Sequence, residues 1–186
     1  MSDRFVPVQI GTKVTSPPLK WFFSFVKYLV YINMKKLIVL ILLLLPIFTF
    51  GQIKVLDVGD GWKSKVESAL QVIKKYDKDK YEKVNSYCKE IGFWNGNFST
   101  TEDGNKIILS KKELSHGSIN NIACAIVHES RHLMIEKSGV GWDENFQEFM
   151  CYDYELSFAK KIPNIEKWLL DHIKIMRNKY AKIISR

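Results

Sequence analysis

Two histidines and a glutamate stand at a spacing that suits metal chemistry. The pattern His-Glu-x-x-His runs from His128 to His132, inside an apolar segment with the character of a helix. Residues four apart project from one helix face, so both imidazoles can reach a single zinc ion at about 2.0–2.1 Å. Glu129 points about 100° round the helix and can face a metal-bound water as its general base. These residues predict metal-assisted hydrolysis.

The histidine content of the chain argues against a chance match. Only four histidines are present, and two of them hold the metal spacing within a predicted helix, which is the context that the pattern requires. Of the other two, His172 falls on the apolar side of the last predicted helix. A histidine in that position is more often a satisfied core residue than a ligand.

The third metal ligand is not fixed by the pattern itself. A catalytic zinc usually takes three protein ligands and leaves one position to water. The helix after His132 offers three carboxylates, Glu144, Glu148 and Glu155, and Asp143 precedes them directly after a glycine turn. The residues alone leave this choice open.

The elements that must position these groups are predicted from hydrophobic periodicity and turn residues. The pattern predicts an α+β fold, mostly helical, with a small β-sheet or hairpin before the active-site helix. The predicted strands are 53–58 and a hairpin of 98–101 with 106–109. The predicted helices are 62–76, 78–91 with Gly92 as its stop, 119–137 with Ser118 as N-cap, 143 or 144 to 161, and 164–184.

Residues 106–155 resemble a zincin metallopeptidase of the gluzincin type, in which a glutamate on the next helix completes the zinc site. Only His-Glu-x-x-His is specific in this match. The run Gln147-Glu148-Phe149-Met150-Cys151 is similar to the Asn-Glu-x-x-Ala run around a gluzincin third ligand, with Gln for Asn and Cys for Ala.

The resemblance implies a zinc-dependent peptidase that acts on a peptide or protein substrate. His128, His132 and Glu148 would bind Zn²⁺, and Glu129 would activate the water. Glu144 and then Asp143 stay as alternative third ligands. In such proteins the strand before the motif helix is a sheet edge that binds extended peptide, which here would be 106–109. A plain structural hairpin is the alternative.

Further groups near the motif have less specific signals. Four side chains are possible donors to a tetrahedral intermediate: Tyr152, Tyr154, His116 and Arg131. Cys124 lies one turn before His128, and Cys151 lies about one turn after Glu148. If the two helices are antiparallel, we expect these cysteines in contact, either as a disulfide or as two small core residues, and the second is preferred.

The amino-terminal third has the pattern of a targeting segment. Lys35-Lys36 followed by an apolar run predicts a signal peptide over 34–51, with cleavage near Gly51/Gln52, a mature domain over 52–186 and a secreted or periplasmic location. Residues 1–33 are then an upstream extension outside the mature protein. Removing the six basic residues and one acid of 1–51 lowers the net charge from +8 to +3. That small excess predicts no nucleic-acid partner.

Two other interpretations are kept. In the first, the same helix pair forms a non-catalytic zinc site of a secreted interaction protein, with its fourth position closed by Asp143, Glu144 or a cysteine. In the second, residues 20–50 stay uncleaved and attach the protein to a membrane.

Overall fold

The computed structural model describes residue 27 and residues 53–59, 61–115 and 117–186. The fold is α+β and mostly helical, with a small four-stranded sheet, which confirms the predicted fold class. Its elements in chain order are β1 (Lys54–Val55), α1 (Trp62–Tyr76), α2 (Lys78–Tyr87), β2 (Glu90–Trp94), β3 (Thr100–Glu102), β4 (Lys106–Ser110), α3 (Ile119–Ser138), α4 (Glu144–Ala159) and α5 (Lys167–Ile184).

The predicted upstream extension, 1–33, and the predicted signal peptide, 34–51, lie outside the residues described from 53 onward. Within the described part of the chain, no helix combines the length and the apolar character needed to cross a bilayer.

The sheet has the strand order β1-β2-β4-β3. β1, β2 and β4 are parallel, and β3 is antiparallel to β4, with Thr100 opposite Ile108. The prediction that 106–109 forms a sheet edge is therefore wrong, because β4 is bonded to a strand on each side. The hairpin partner β3 takes the edge position instead.

The second helix is shorter than predicted, and a central strand follows it. Helix α2 ends at Tyr87, and Cys88 already has extended backbone angles, φ −96° and ψ 126°. Gly92 was predicted to stop this helix, and that prediction is wrong, because Gly92 lies within β2. A Cβ there would come within 3.1 Å of Ile108 Cδ1, so glycine lets side chains from the neighbouring strand pack closely over it.

Helix α3, which carries the histidine motif, packs against α1, α2, α4 and the β3–β4 hairpin. Its ends match the sequence analysis. The Ser118 side chain caps it by accepting a hydrogen bond from Asn121 N at 3.2 Å, and Gly139 ends it with φ 68°. Burial on several sides gives the motif a rigid support.

One buried lysine lies away from the motif, on α2. Lys80 is 8% exposed, and its Nζ lies 3.2 Å from the centre of the Tyr154 ring. Burial lowers the pKa of Lys80 to about 8, although Asp77 opposes the shift. The charged form is thus destabilised by folding.

This shift predicts a pH-dependent stability. Between about pH 8 and the ordinary lysine value near 10.4, the unfolded chain keeps the Lys80 proton and the folded chain has lost it, so stability from this residue rises with pH. We expect Lys80→Met to be more stable than the unmodified protein at pH 7 by about 1–3 kcal/mol, with the gain shrinking towards pH 10. Urea unfolding at both pH values measures it, and the exposed Lys83→Met is the control. A gain that does not change with pH would contradict the assignment.

Candidate metal centre

Packing of α4 against α3 brings a carboxylate between the two motif histidines. Glu148 Oε1 lies 3.1 Å from His132 Nε2, and Glu148 Oε2 lies 3.6 Å from His128 Nε2. Two ligand atoms at about 2.0–2.1 Å from a tetrahedral ion lie about 3.3–3.4 Å apart. Each of the two distances from Glu148 is thus close to the separation of two donors on one ion.

These contacts shift the charges of the groups involved. Burial raises the pKa of Glu148, but its hydrogen bonds with His128 and His132 outweigh burial and lower it to about 2. Burial lowers the pKa of His128, and hydrogen bonds with Glu148 and Glu155 outweigh it and raise it to about 10. The cluster thus stabilises positive charge beside an ionised carboxylate, which is the charge pattern that a cation would also satisfy.

A second carboxylate lies on the opposite ring nitrogen of His128. Glu155 Oε2 is 3.0 Å from His128 Nδ1, and both side chains are buried. A carboxylate there accepts a hydrogen bond from Nδ1–H and leaves Nε2 free to bind a metal. Glu155 was one of the three ligand candidates in the sequence; the structure places it behind the imidazole instead.

Glu155 should therefore tune metal binding without touching the metal. Replacing Glu155 by Gln keeps the size of the side chain and removes the charge that orients His128. We expect metal affinity to fall by about 10–100-fold, as for other partners of metal-binding histidines. Competition with a chelating dye measures the affinity. Asp153→Asn, an exposed charge loss on the same helix, should leave it unchanged, and an equal effect of both substitutions would refute this role.

Glu129 lies beside the cluster and not within it. Its side chain is 7% exposed and lines a cavity of about 570 Å³ together with His132 and Glu148. Burial raises the pKa of the Glu129 carboxyl, while the two histidines act in the opposite direction. A carboxyl with a raised pKa is better matched to taking up and releasing a proton near neutral pH.

The last helix, α5, supplies one wall of this cavity. His172, Met176, Lys179 and Tyr180 all line it. The prediction that His172 is a core residue is wrong, because its side chain is exposed on that wall. The spacing i, i+4, i+7, i+8 of these four residues is the sequence signal that marks them as one face of a helix.

Tyrosines connect this wall to the histidines. The Tyr152 ring meets His128 edge-on, with centroids 4.4 Å apart, and Tyr180 stacks on Tyr152 at 5.7 Å. Of the predicted oxyanion donors, Tyr152 lines the cavity, whereas Tyr154 and Arg131 do not and lie against one another instead. His116 lies outside the described residues.

The alternative third ligands take different positions. Asp143 caps α4, with its side chain accepting a hydrogen bond from Asn145 N at 2.9 Å. Glu144 is exposed at the rim of the cavity. Neither is brought to both histidines in the way that Glu148 is.

The cysteines are free thiols, so the disulfide alternative is wrong for Cys124 and Cys151. Both are fully buried. One donor atom each of His128, His132 and Cys151 lies within 4.8 Å of the others, so this group could hold a metal ion. Two side chains of α4, Glu148 and Cys151, thus reach the histidine pair.

No protein-family model matches the chain, and no curated protein matches it.

Proposed function

We propose that this protein is a zinc-dependent peptidase of the gluzincin-like type, secreted or periplasmic after cleavage near Gly51/Gln52. The observation that carries the proposal is the convergence of His128, His132 and Glu148, with Glu129 beside them in an open cavity. Imidazole and carboxylate donors together suit zinc.

The residues of the site divide the work of peptide hydrolysis. His128, His132 and Glu148 would hold the zinc, which supplies a Lewis acid that polarises the scissile carbonyl and lowers the pKa of water. Glu129 accepts the proton of the attacking water and passes it to the leaving amine. Glu155 holds the His128 ring in the orientation that this arrangement needs.

An extended peptide is the substrate class that the cavity suits. Residues 98–101, which lead into and begin the edge strand β3, line the same cavity as α5. In the described sheet β3 pairs with β4 alone, so its outer side offers backbone groups to a peptide. This moves the predicted substrate edge from 106–109 to the neighbouring strand.

The proposal is tested by metal content and cleavage on the same preparation. We expect one zinc per full-length chain by mass spectrometry of the metal, and cleavage of a mixed peptide library that a chelator stops and added zinc restores. Absence of zinc uptake after reconstitution would overturn the proposal.

A second candidate function is a non-catalytic metal centre that joins α3 to α4. One observation favours it: the Cys151 thiol lies in the same donor group as the two histidines, and four protein donors would close the coordination sphere. One zinc per chain without cleavage of any peptide in the library would favour this function over the peptidase.

A further inference from the structure

We infer that Cys151 is a protein ligand of this centre and fills its fourth position at rest, so that the peptidase is latent until the thiol leaves the metal. The inference rests on the proposed function, because it needs a metal between α3 and α4. A thiol is not part of the His-Glu-x-x-His pattern, and the run around Glu148 has cysteine where the similar runs have alanine.

The distances place Cys151 in the donor group. Ligand atoms of His128, His132 and Cys151 all lie within 4.8 Å of one another. Bonds of about 2.0–2.1 Å to nitrogen and 2.3 Å to sulfur put the two donors about 3.5–3.6 Å apart on a tetrahedral ion. This nitrogen-to-sulfur separation is shorter than the 4.8 Å within which the three donor atoms lie.

The position of Cys151 on its helix gives the same result. Cys151 is three residues after Glu148, so both side chains project from one face of α4 towards α3. Its side chain is 0% exposed. Cys88 donates a hydrogen bond to Glu90 O at 3.2 Å, whereas the Cys151 thiol has no hydrogen-bond partner among the described residues.

The charges of the four donors also balance. Two neutral imidazoles, one carboxylate and one thiolate together neutralise a divalent ion, and four protein donors complete the tetrahedral sphere of a closed site. One oxygen of Glu148 lies 3.1 Å from His132 Nε2, and the other lies 3.6 Å from His128 Nε2. Departure of Cys151 would break the metal–sulfur bond, return a proton from solvent to the thiol, and leave a three-ligand centre that admits water. Glu129 lines the cavity beside this centre.

The inference is tested by absorption spectroscopy, with Co²⁺ in place of zinc because bound cobalt absorbs light. The full-length chain is loaded with Co²⁺, and its absorption is compared with that of Cys151→Ser and Cys124→Ser. We expect a thiolate-to-cobalt charge-transfer band in the near ultraviolet, absent from Cys151→Ser and retained in Cys124→Ser. Cys124 is a matched control, because it is equally buried and lies on α3 outside the donor group.

The possible outcomes separate this inference from the proposed function. Cobalt d–d bands without the charge-transfer band would show that Cys151 is not a ligand, and they would leave the proposed peptidase function unaffected. No uptake of cobalt or zinc would overturn both. If Cys151→Ser fails to fold, X-ray absorption of the unmodified zinc protein decides, because a sulfur shell at about 2.3 Å supports the inference and a shell of nitrogen and oxygen alone overturns it.

Latency is tested separately, by the rate of peptide cleavage. Cys151→Ala should cleave peptide several-fold faster per bound zinc than the unmodified protein, because its fourth position is open from the start. Equal or slower cleavage by a zinc-loaded Cys151→Ala protein would overturn the latency.

Discussion

Replacing Glu129 with glutamine should leave zinc bound and lower peptide hydrolysis by about 10²–10⁴-fold, the usual contribution of a general base. The carboxyl is buried at the cavity and lies outside the group of His128, His132 and Glu148, so its loss removes a proton acceptor and no metal ligand. Glutamine keeps the size and the polarity of the side chain. The test compares hydrolysis rates at equal zinc content.

The pattern of zinc content and rate identifies the role of Glu129. Glu136→Gln is a suitable control, since Glu136 is an exposed glutamate further along the same helix. It should keep both zinc and hydrolysis. If Glu129→Gln hydrolyses peptide at the unmodified rate, Glu129 is not the base. If it loses zinc, Glu129 belongs among the ligands and the mechanism must be redrawn.

The sequence predicted best those features that depend on local pattern. The helix 62–76 was predicted with its observed ends, and the motif helix to within a residue, because amphipathic spacing, Ser118 and Gly139 define them locally. The same-face position of His128 and His132 follows from helix geometry alone.

Features that depend on distant partners could not be predicted in this way. From the sequence alone, the residues of β2 continue the charged helix before them, and Gly92 resembles its stop. The parallel strands that pair with β2 lie far away in the sequence, so local pattern does not indicate them. A glycine is compatible with either interpretation until the side chain of Ile108 is placed over it. The order of the strands, and with it the edge position of β3, depends on the same long-range pairing.

Several details of the site could not be predicted either, because they depend on how the helices pack together. Glu155 was recognised as an acid in reach of the motif, yet its position behind His128 needs the actual packing of α4 on α3. His172 was predicted as a core residue because the apolar stripe of the last helix is evident, although its side chain lines the cavity. The prediction that Cys124 and Cys151 are small core residues is confirmed by their burial, whereas the place of Cys151 beside the two histidines depends on the packing of α4 on α3.

Removing a ligand should abolish the stabilisation that zinc gives to the fold. A metal that binds only the folded chain stabilises it by about 2.7 kcal/mol at a concentration one hundred times its Kd. We expect zinc to raise the thermal midpoint of the unmodified protein, to leave that of His132→Ala unchanged, and to raise that of Glu148→Gln much less. Differential scanning calorimetry with and without zinc measures these shifts.

His172→Ala is the matched control, because His172 lines the same cavity but stands outside the donor group. It should keep the full zinc shift. We expect Glu148 to act as a ligand, because a different one of its oxygens approaches each imidazole. A full zinc shift in Glu148→Gln would therefore move the third ligand to Cys151 and favour a thiol-bound centre over the carboxylate-bound one. A full zinc-induced shift in His132→Ala would contradict the proposal of a metal centre at these residues.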